Sequence, residues 1–439
     1  MMKKLLFFIL IYNLSWADAQ VQLSLQQCID SALAAHNGIR QSALLMETAR
    51  VALKQARSNI LPAVGMDISH GLNAGRSIDP FTNTYVNQSI NRAGYGIGAD
   101  VVLFNGGSLQ NRIRENASAY EASRMDWQLT KDQVVLNVIL SYLQVLSNED
   151  QLGLARQQGK ASKNALDRLT ILDTKGAIRP SDVTDLKGQL MNDELMVINA
   201  HTQLETSKLQ LLQWMNRPYD SAIRLERVNM EALLTSYEGT SATVYETALN
   251  QFSLVKAAAL RKNSARYGLK AARGQLFPTI SLGAGLNTNY SSLARDASQE
   301  KISYGSQLKN NRFSAIGIGV SIPIFNRNIA RNRIKDSEIM LESMTVAEQE
   351  TKRLLRQQVD EAYINMINAY QRYIVLQEQV KAYRESFKAA EARFTAGVGT
   401  SIDFLAAKDR MEAAEVNLVT AQYDFVLRKK VLDFYAGKF

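Results

Sequence analysis

The chain is poor in the residues that most chemistry needs. One cysteine, Cys28, in 439 residues excludes a disulfide framework and any cysteine-based metal cluster. The histidines His36, His70 and His201 lie far apart, with no ligand spacing between them. Prolines are few, and none follows Pro323, so nothing forces a kink in the C-terminal quarter. Beyond the N-terminus no apolar run approaches the roughly 18 residues of a membrane helix. No nucleophile–base set or phosphate loop appears. Gly94, Gly96 and Gly98 form a GxGxG string, but they precede a strand-like run, the reverse of a dinucleotide site. No catalytic, cofactor-binding or metal-binding residues are assigned, and an enzyme is not expected. The formal charge is +9, yet Lys and Arg are interspersed with Asp and Glu along the sequence. No nucleic-acid partner follows from that pattern.

The first nineteen residues read as a targeting segment. Lys3 and Lys4 precede the apolar run Leu5 to Leu14, and Ala17-Asp18-Ala19 offers a small-x-small cleavage site before Gln20. Export follows. Gln26 and Gln27 are bulky for a lipid-attachment motif at Cys28, which reads instead as a small buried hydrophobe.

The most regular stretch is Asn328 to Phe394 with its return limb Ser401 to Tyr435. Apolar residues at Val359, Ala362, Met366, Ala369, Tyr373, Leu376 and onward alternate steps of 3 and 4. That is the period of a supercoiled helix seam. Phe404, Ala407, Met411, Ala414, Leu418, Ala421 and Phe425 repeat it, and Arg428 interrupts it. A helix of about 65 residues would be about 100 Å long and needs partners throughout.

The chain is written twice. An offset of 216 carries Lys54, Ala56 and Arg57 onto Lys270, Ala272 and Arg273. An offset of 221 carries Phe104-Asn105 onto Phe325-Asn326, Gly176 onto Gly397 and Asp182 onto Asp403. The predicted layout is a repeat over 20–215, an equatorial segment over 216–243 and a second repeat over 244–439. Each repeat should hold helices and two strands, at about 62–74 and 94–105, then about 278–290 and 313–326.

Those strands alternate. Ile280, Leu282, Ala284 and Leu286 stand opposite Ser281, Gly283, Gly285 and Asn287, and the other three runs behave alike. Their length suits a tilted membrane strand. One face is too small and polar for a protein core, and the other carries Tyr95, Phe104, Phe313 and Phe325 near its ends, as an interfacial girdle would. Four strands cannot close a barrel, and an open edge in lipid leaves backbone groups unpaired. Subunits must share it, and the small inward residues favour three chains over two.

Leu25 to Asn37, Ala271 to Pro278 and Gly397-Val398-Gly399-Thr400-Ser401-Ile402-Asp403-Phe404-Leu405 resemble the outer-membrane factor family, the TolC-like efflux channels. The resemblance spans the chain after the leader. It implies a mainly α fold with a membrane β-barrel: a long coiled-coil α-helical barrel continuous with a trimeric 12-stranded outer-membrane barrel, four strands per chain. It implies a homotrimer in outer-membrane lipid, extending into the periplasm. Its partners would be a periplasmic adaptor (membrane fusion protein) and an inner-membrane pump, in tripartite efflux or type I secretion. The tip that would dock the adaptor comprises Gly176, Arg179, Pro180, Ser181, Gly397, Val398, Gly399, Thr400 and Ser401. Asp182, Asp185 and Asp403 would ring a periplasmic constriction, with Lys175, Arg179, Lys187 and Lys408 nearby. Two departures matter: Ala406 stands where a second acid would be, and Phe394 and Gly399 replace a latch tyrosine and arginine. A passive trimeric outer-membrane pore with no dedicated pump is the alternative, and a soluble coiled-coil scaffold a more distant one.

Overall fold

The computed structural model describes residues 22–79, 83–175 and 178–438, so the expected leader and Gly176 lie outside it. The chain opens with β1 (Gln22–Leu23), α1 (Leu25–Ala35) and α2 (Asn37–Ser58). β2 (Ala63–Asn73), the short β3 (Arg76–Ile78) and β4 (Tyr85–Asn87), and β5 (Ile90–Phe104) follow, then α3 (Ser108–Thr174) and α4 (Pro180–Trp214). The second half runs β6 (Arg224–Leu225), α5 (Met230–Leu233), α6 (Ser241–Gln251), α7 (Ser253–Gly274) and β7 (Thr279–Ser291). It ends with α8 (Tyr304–Asn310), β8 (Phe313–Ser321), α9 (Ile329–Thr395) and α10 (Ser401–Tyr435). The starts of α1, α2 and β2 recur 216 residues later in α6, α7 and β7; those of α3 and α4 recur 221 later in α9 and α10. The long helices have 67 residues each and their return helices 35. Even the caps repeat: Ser24 with Gln27 and Thr240 with Thr243 form capping boxes at α1 and α6. Among the described residues no helix is long and apolar enough to cross a membrane.

Two compact units form, and each draws on both halves. One holds Ser42–Trp127 and Ser253–Arg353, the other Gln128–Phe252, the described residues from Leu354 onward and residues 22–41.

The first unit carries an antiparallel sheet ordered β2-β5-β7-β8. Its register puts Ile97 opposite Met66 and Leu286, and Ala284 opposite Ile316, so the apolar residues share one face. Gly98 opposite Gly65 and Gly285 defines the other. Phe104 takes the apolar face as expected, though by way of a bulge, and two other details differ from expectation. The register shifts between Val102 and Phe104, so Phe104 pairs with Ile280 and joins the apolar face across a bulge. Phe313 pairs with Asn287 and therefore lies on the glycine-rich face rather than in the girdle. β8 stops at Ser321, two residues before Pro323, which has no N–H for a ladder. Where strand meets helix, backbones crowd: a Cβ on Gly274 would lie 2.9 Å from the Gly106 carbonyl oxygen and 3.0 Å from the Ser108 nitrogen. Ser108 closes this junction by donating to the Ala271 carbonyl at 2.9 Å. Farther along the helices, Lys262 and Lys352 both bond Glu348 and hold its carboxyl below the usual range.

The second unit is helical. Val359, Met366, Ala369, Tyr373, Val380 and Ala390 of the predicted α9 seam are buried, as are Phe404, Ala414, Ala421 and Phe425 of α10. Arg428, the seam's exception, is half-exposed and bonds Asp424 one turn away at 2.9 Å. In the equatorial segment β6 pairs in parallel with β1. Tyr142, fully buried on α3, donates to the Glu226 carbonyl at 2.7 Å and binds the pair to the helices. Cys28 is buried on α1, and that burial pushes its thiol up to about 11, against the opposing charge of Arg217.

Candidate functional site

Two regions carry the features expected of a conduit: the helical hairpin ends and the polar sheet face.

α9 ends in a Schellman turn. Gly397 takes φ +74°. Its N–H donates to the Phe394 carbonyl at 3.1 Å, and the Val398 N–H donates to the Arg393 carbonyl at 3.1 Å. Gly399 is needed for space instead, since a Cβ there would lie 3.0 Å from the Phe394 nitrogen. Thr400 then caps α10. Its Oγ1 accepts from the Asp403 N–H at 3.1 Å and donates to Asp403 Oδ2 at 2.7 Å. α4 starts with Arg179 in the cap position, with no side-chain cap bond, and Pro180 at the first turn. Ser181 is exposed beside it.

The three expected aspartates have different surroundings. Asp403 is exposed and belongs to the α10 cap. Asp185 is exposed too, and its Oδ2 accepts from the buried Ser401 hydroxyl at 3.0 Å, which ties α4 to α10. Asp182 and Arg179 line a cavity of about 700 Å³ bounded by Leu172, Ile178, Phe394 and Val398. The floor of this region is apolar. Leu169, Leu186 and Phe404 are buried together. Phe394 stacks on Phe404 with ring centres 4.9 Å apart and planes 15° apart. The Phe394 ring, partly buried, therefore packs against this cluster of its own chain.

Lys408 is not beside the tip aspartates. Its side chain is 5% exposed, with Nζ 3.0 Å from Asp193 Oδ2 and 2.7 Å from a Glu412 oxygen. Asp193, also 5% exposed, accepts from Ser162 and from Gln189 Nε2 at 2.9 Å. One cation thus serves two carboxylates. Burial pushes the Glu412 carboxyl up to about 6; Lys408 opposes the rise, while Asp193 and Asp409 add to it. This network joins α3, α4 and α10. Nothing in local sequence distinguishes these charges from the exposed ones around them.

On the sheet, Asp67, Ser69, Asp100, Ser281 and Asn287 stand among the glycines of the polar face. A Cβ on Gly96 would lie 2.6 Å from Asn287 Oδ1, so glycine there makes room for the amide. The face is thus made mainly of small and polar residues. Among the described residues no group of His, Cys, Asp and Glu could hold a metal ion.

Comparison with known proteins gives one answer. The sequence profile of the outer membrane efflux protein family matches residues 28–217 and 244–438. Outer membrane protein TolC of Escherichia coli K12 is 23% identical over 438 residues, covering 98% of this chain and 85% of TolC. Among solved structures, CusC superposes with a TM-score of 0.83 at 16% identity, covering 95% of this chain and 92% of CusC. VceC of Vibrio cholerae superposes at 0.81 with 13% identity, covering 94% of this chain and 96% of VceC. The repeat structure, the half-exposed sheet and these matches agree: the chain belongs to the outer membrane efflux protein family, and it is a transport protein of the outer membrane extending into the periplasm, not an enzyme.

Proposed function

We propose that three copies close one twelve-stranded barrel and one helical tunnel, forming the outer-membrane duct of a tripartite efflux or type I secretion system. The observation that carries this is the sheet's two open edges. β2 and β8 each pair on one side only, and every residue of both strands is exposed in the single chain. In lipid each unpaired backbone group costs several kcal/mol, so a second sheet must meet each edge. Three sheets of four strands leave a water path, whereas two would leave a lumen filled by side chains.

In this reading the two repeats, 20–215 and 244–439, each supply one hairpin to the periplasmic end. The turn residues Arg179, Pro180, Ser181 and Val398 to Ser401, with Gly176 and Gly397, dock a periplasmic adaptor that leads to an inner-membrane pump. Asp182, Asp185 and Asp403 come to the narrow end three times each, where rings of carboxylates select cations. Chemical cross-linking of the full chain in detergent tests the assembly. A three-rung ladder ending near three times the 49.0 kDa chain mass is expected. A stable monomer inserted in membranes would overturn the shared barrel.

A further inference from the structure

The chain's net charge sits in one place. Four segments link the sheet to its helices: residues 54–62, 105–115, 266–278 and 322–338. Together they hold eleven Lys and Arg against three Asp and Glu, a surplus of eight, while the whole chain has a formal +9. Interspersed along the sequence, these cations converge only because the fold brings four chain segments to one end of the sheet.

They are also available. Arg112 bonds Glu115, and Arg273 and Lys335 share Glu338. Lys54, Arg57, Arg114, Arg266, Lys270 and Arg331 are exposed, and none has a carboxylate within 4.0 Å among the described residues. Three of them surround one ring. Arg114 on α3 lies 6.0 Å from the centre of Tyr267, and Arg266 and Lys270 on α7 lie 5.6 and 5.5 Å from it. Three cations gathered around one aromatic ring from two helices, with no carboxylate within 4.0 Å of any of them among the described residues, form a cradle for an anion. At the strand ends nearby, Phe104, Phe277 and Phe325 are 44%, 56% and 77% exposed. Exposed aromatics mark the depth where lipid tails meet headgroups. Arg114, Arg266 and Lys270 lie within about 12 Å of the sheet-side ends of α3 and α7 at 1.5 Å per helical residue, near the depth of the phosphate layer.

We propose that this collar binds anionic phospholipid headgroups of the periplasmic leaflet, with Arg114, Arg266 and Lys270 around Tyr267 as its best-formed site. The proposal rests on the barrel reading of β2, β5, β7 and β8. Lysine and arginine at an anionic surface each contribute binding that is screened by salt and lost beyond a Debye length. The collar would fix the depth of the barrel and draw a shell of anionic lipid around it.

The test is native mass spectrometry of the full-length protein released from nanodiscs of equimolar phosphatidylglycerol and phosphatidylcholine. Retained phosphatidylglycerol should exceed phosphatidylcholine at least about fivefold, the worth of one surface cation. R114Q/R266Q/K270Q should lose that preference, and the charge-conserving R114K/R266K should keep it. Equal retention of both lipids, or a preference unchanged in the triple glutamine variant, would overturn the collar. Displacement of the lipid by a single-stranded oligonucleotide at matched phosphate concentration would overturn it in favour of nucleic acid. Failure to insert into either disc would count against the barrel itself, a separate result.

Discussion

Replacing Lys408 by methionine should cost more stability than any other single charge change in the helical unit. The substitution keeps the length and apolar stem of the side chain but removes the one cation that, among the described residues, bonds Asp193 and Glu412. Those carboxylates are 5% and 12% exposed, so water cannot take its place. Breaking a buried pair by removing one partner costs about 3–5 kcal/mol. For a cooperative unit of some 230 residues, at roughly 2–4 °C per kcal/mol, the midpoint should fall by about 6 °C or more. Far-ultraviolet circular dichroism of the detergent-solubilised protein would read the transition. The deficit should shrink as pH falls through 6, because Glu412 can then take up a proton and leave one buried charge instead of two. The neutral triple D193N/K408M/E412Q should recover most of the loss, since a buried ion set replaced as a whole is close to neutral. A K408M midpoint within about 2 °C of the parent, or a triple no better than the single, would refute the reasoning.

Glu412 also has a signature of its own. Its carboxyl binds its proton more tightly in the folded chain, at about 6, than its ordinary value of 4.5. The stability it contributes is therefore complete below pH 4.5 and lost as pH rises through 6, a term of order 1 kcal/mol. E412Q should abolish that slope in a pH series of melting curves, and an unchanged slope would assign it to another group. At the tip, Gly397→Leu forces a branched side chain into φ +74°, and Gly399→Leu meets the α9 backbone at 3.0 Å. Either should abolish efflux with trimer abundance unchanged on blue-native gels; full resistance in both would move docking elsewhere. In planar bilayers the channel should be cation-selective and blocked from the periplasmic side by multivalent cations. D182N/D185N should weaken that block more than D403N, because it removes two carboxylates per chain, one of them (Asp182) lining the tip cavity. Unchanged block in both variants would leave these aspartates as caps and ties.

Much of the fold was legible because it is periodic. An uninterrupted 3-and-4 alternation specifies a long seam, and α9 and α10 run within a residue or two of the stretch it marks. Two offsets in the sequence reappear as two offsets in element starts. The strands were readable from alternation, but their ends were not. The bulge before Phe104 and the halt of β8 at Ser321 depend on partners across the sheet that no single strand encodes. At the site, the Thr400 cap of α10 is not read from the sequence, which assigns Thr400 to the tip and Asp403 to the constriction. The Ser401–Asp185 tie and the Lys408 network join residues more than 200 positions apart, and nothing local marks them as buried. The basic collar was missed for a related reason. Its cations are diluted among carboxylates along the chain, and the four segments are brought together only by the sheet.

A duct served by a pump, as proposed, can matter to the cell only where that pump works. Drug and metal sensitivity of a deletion strain should be measured with and without functional inner-membrane pumps. Deletion should sensitise only cells whose pumps work, and the intact gene should restore resistance. An equal change in both backgrounds would show a passive pore and contradict the proposed duct.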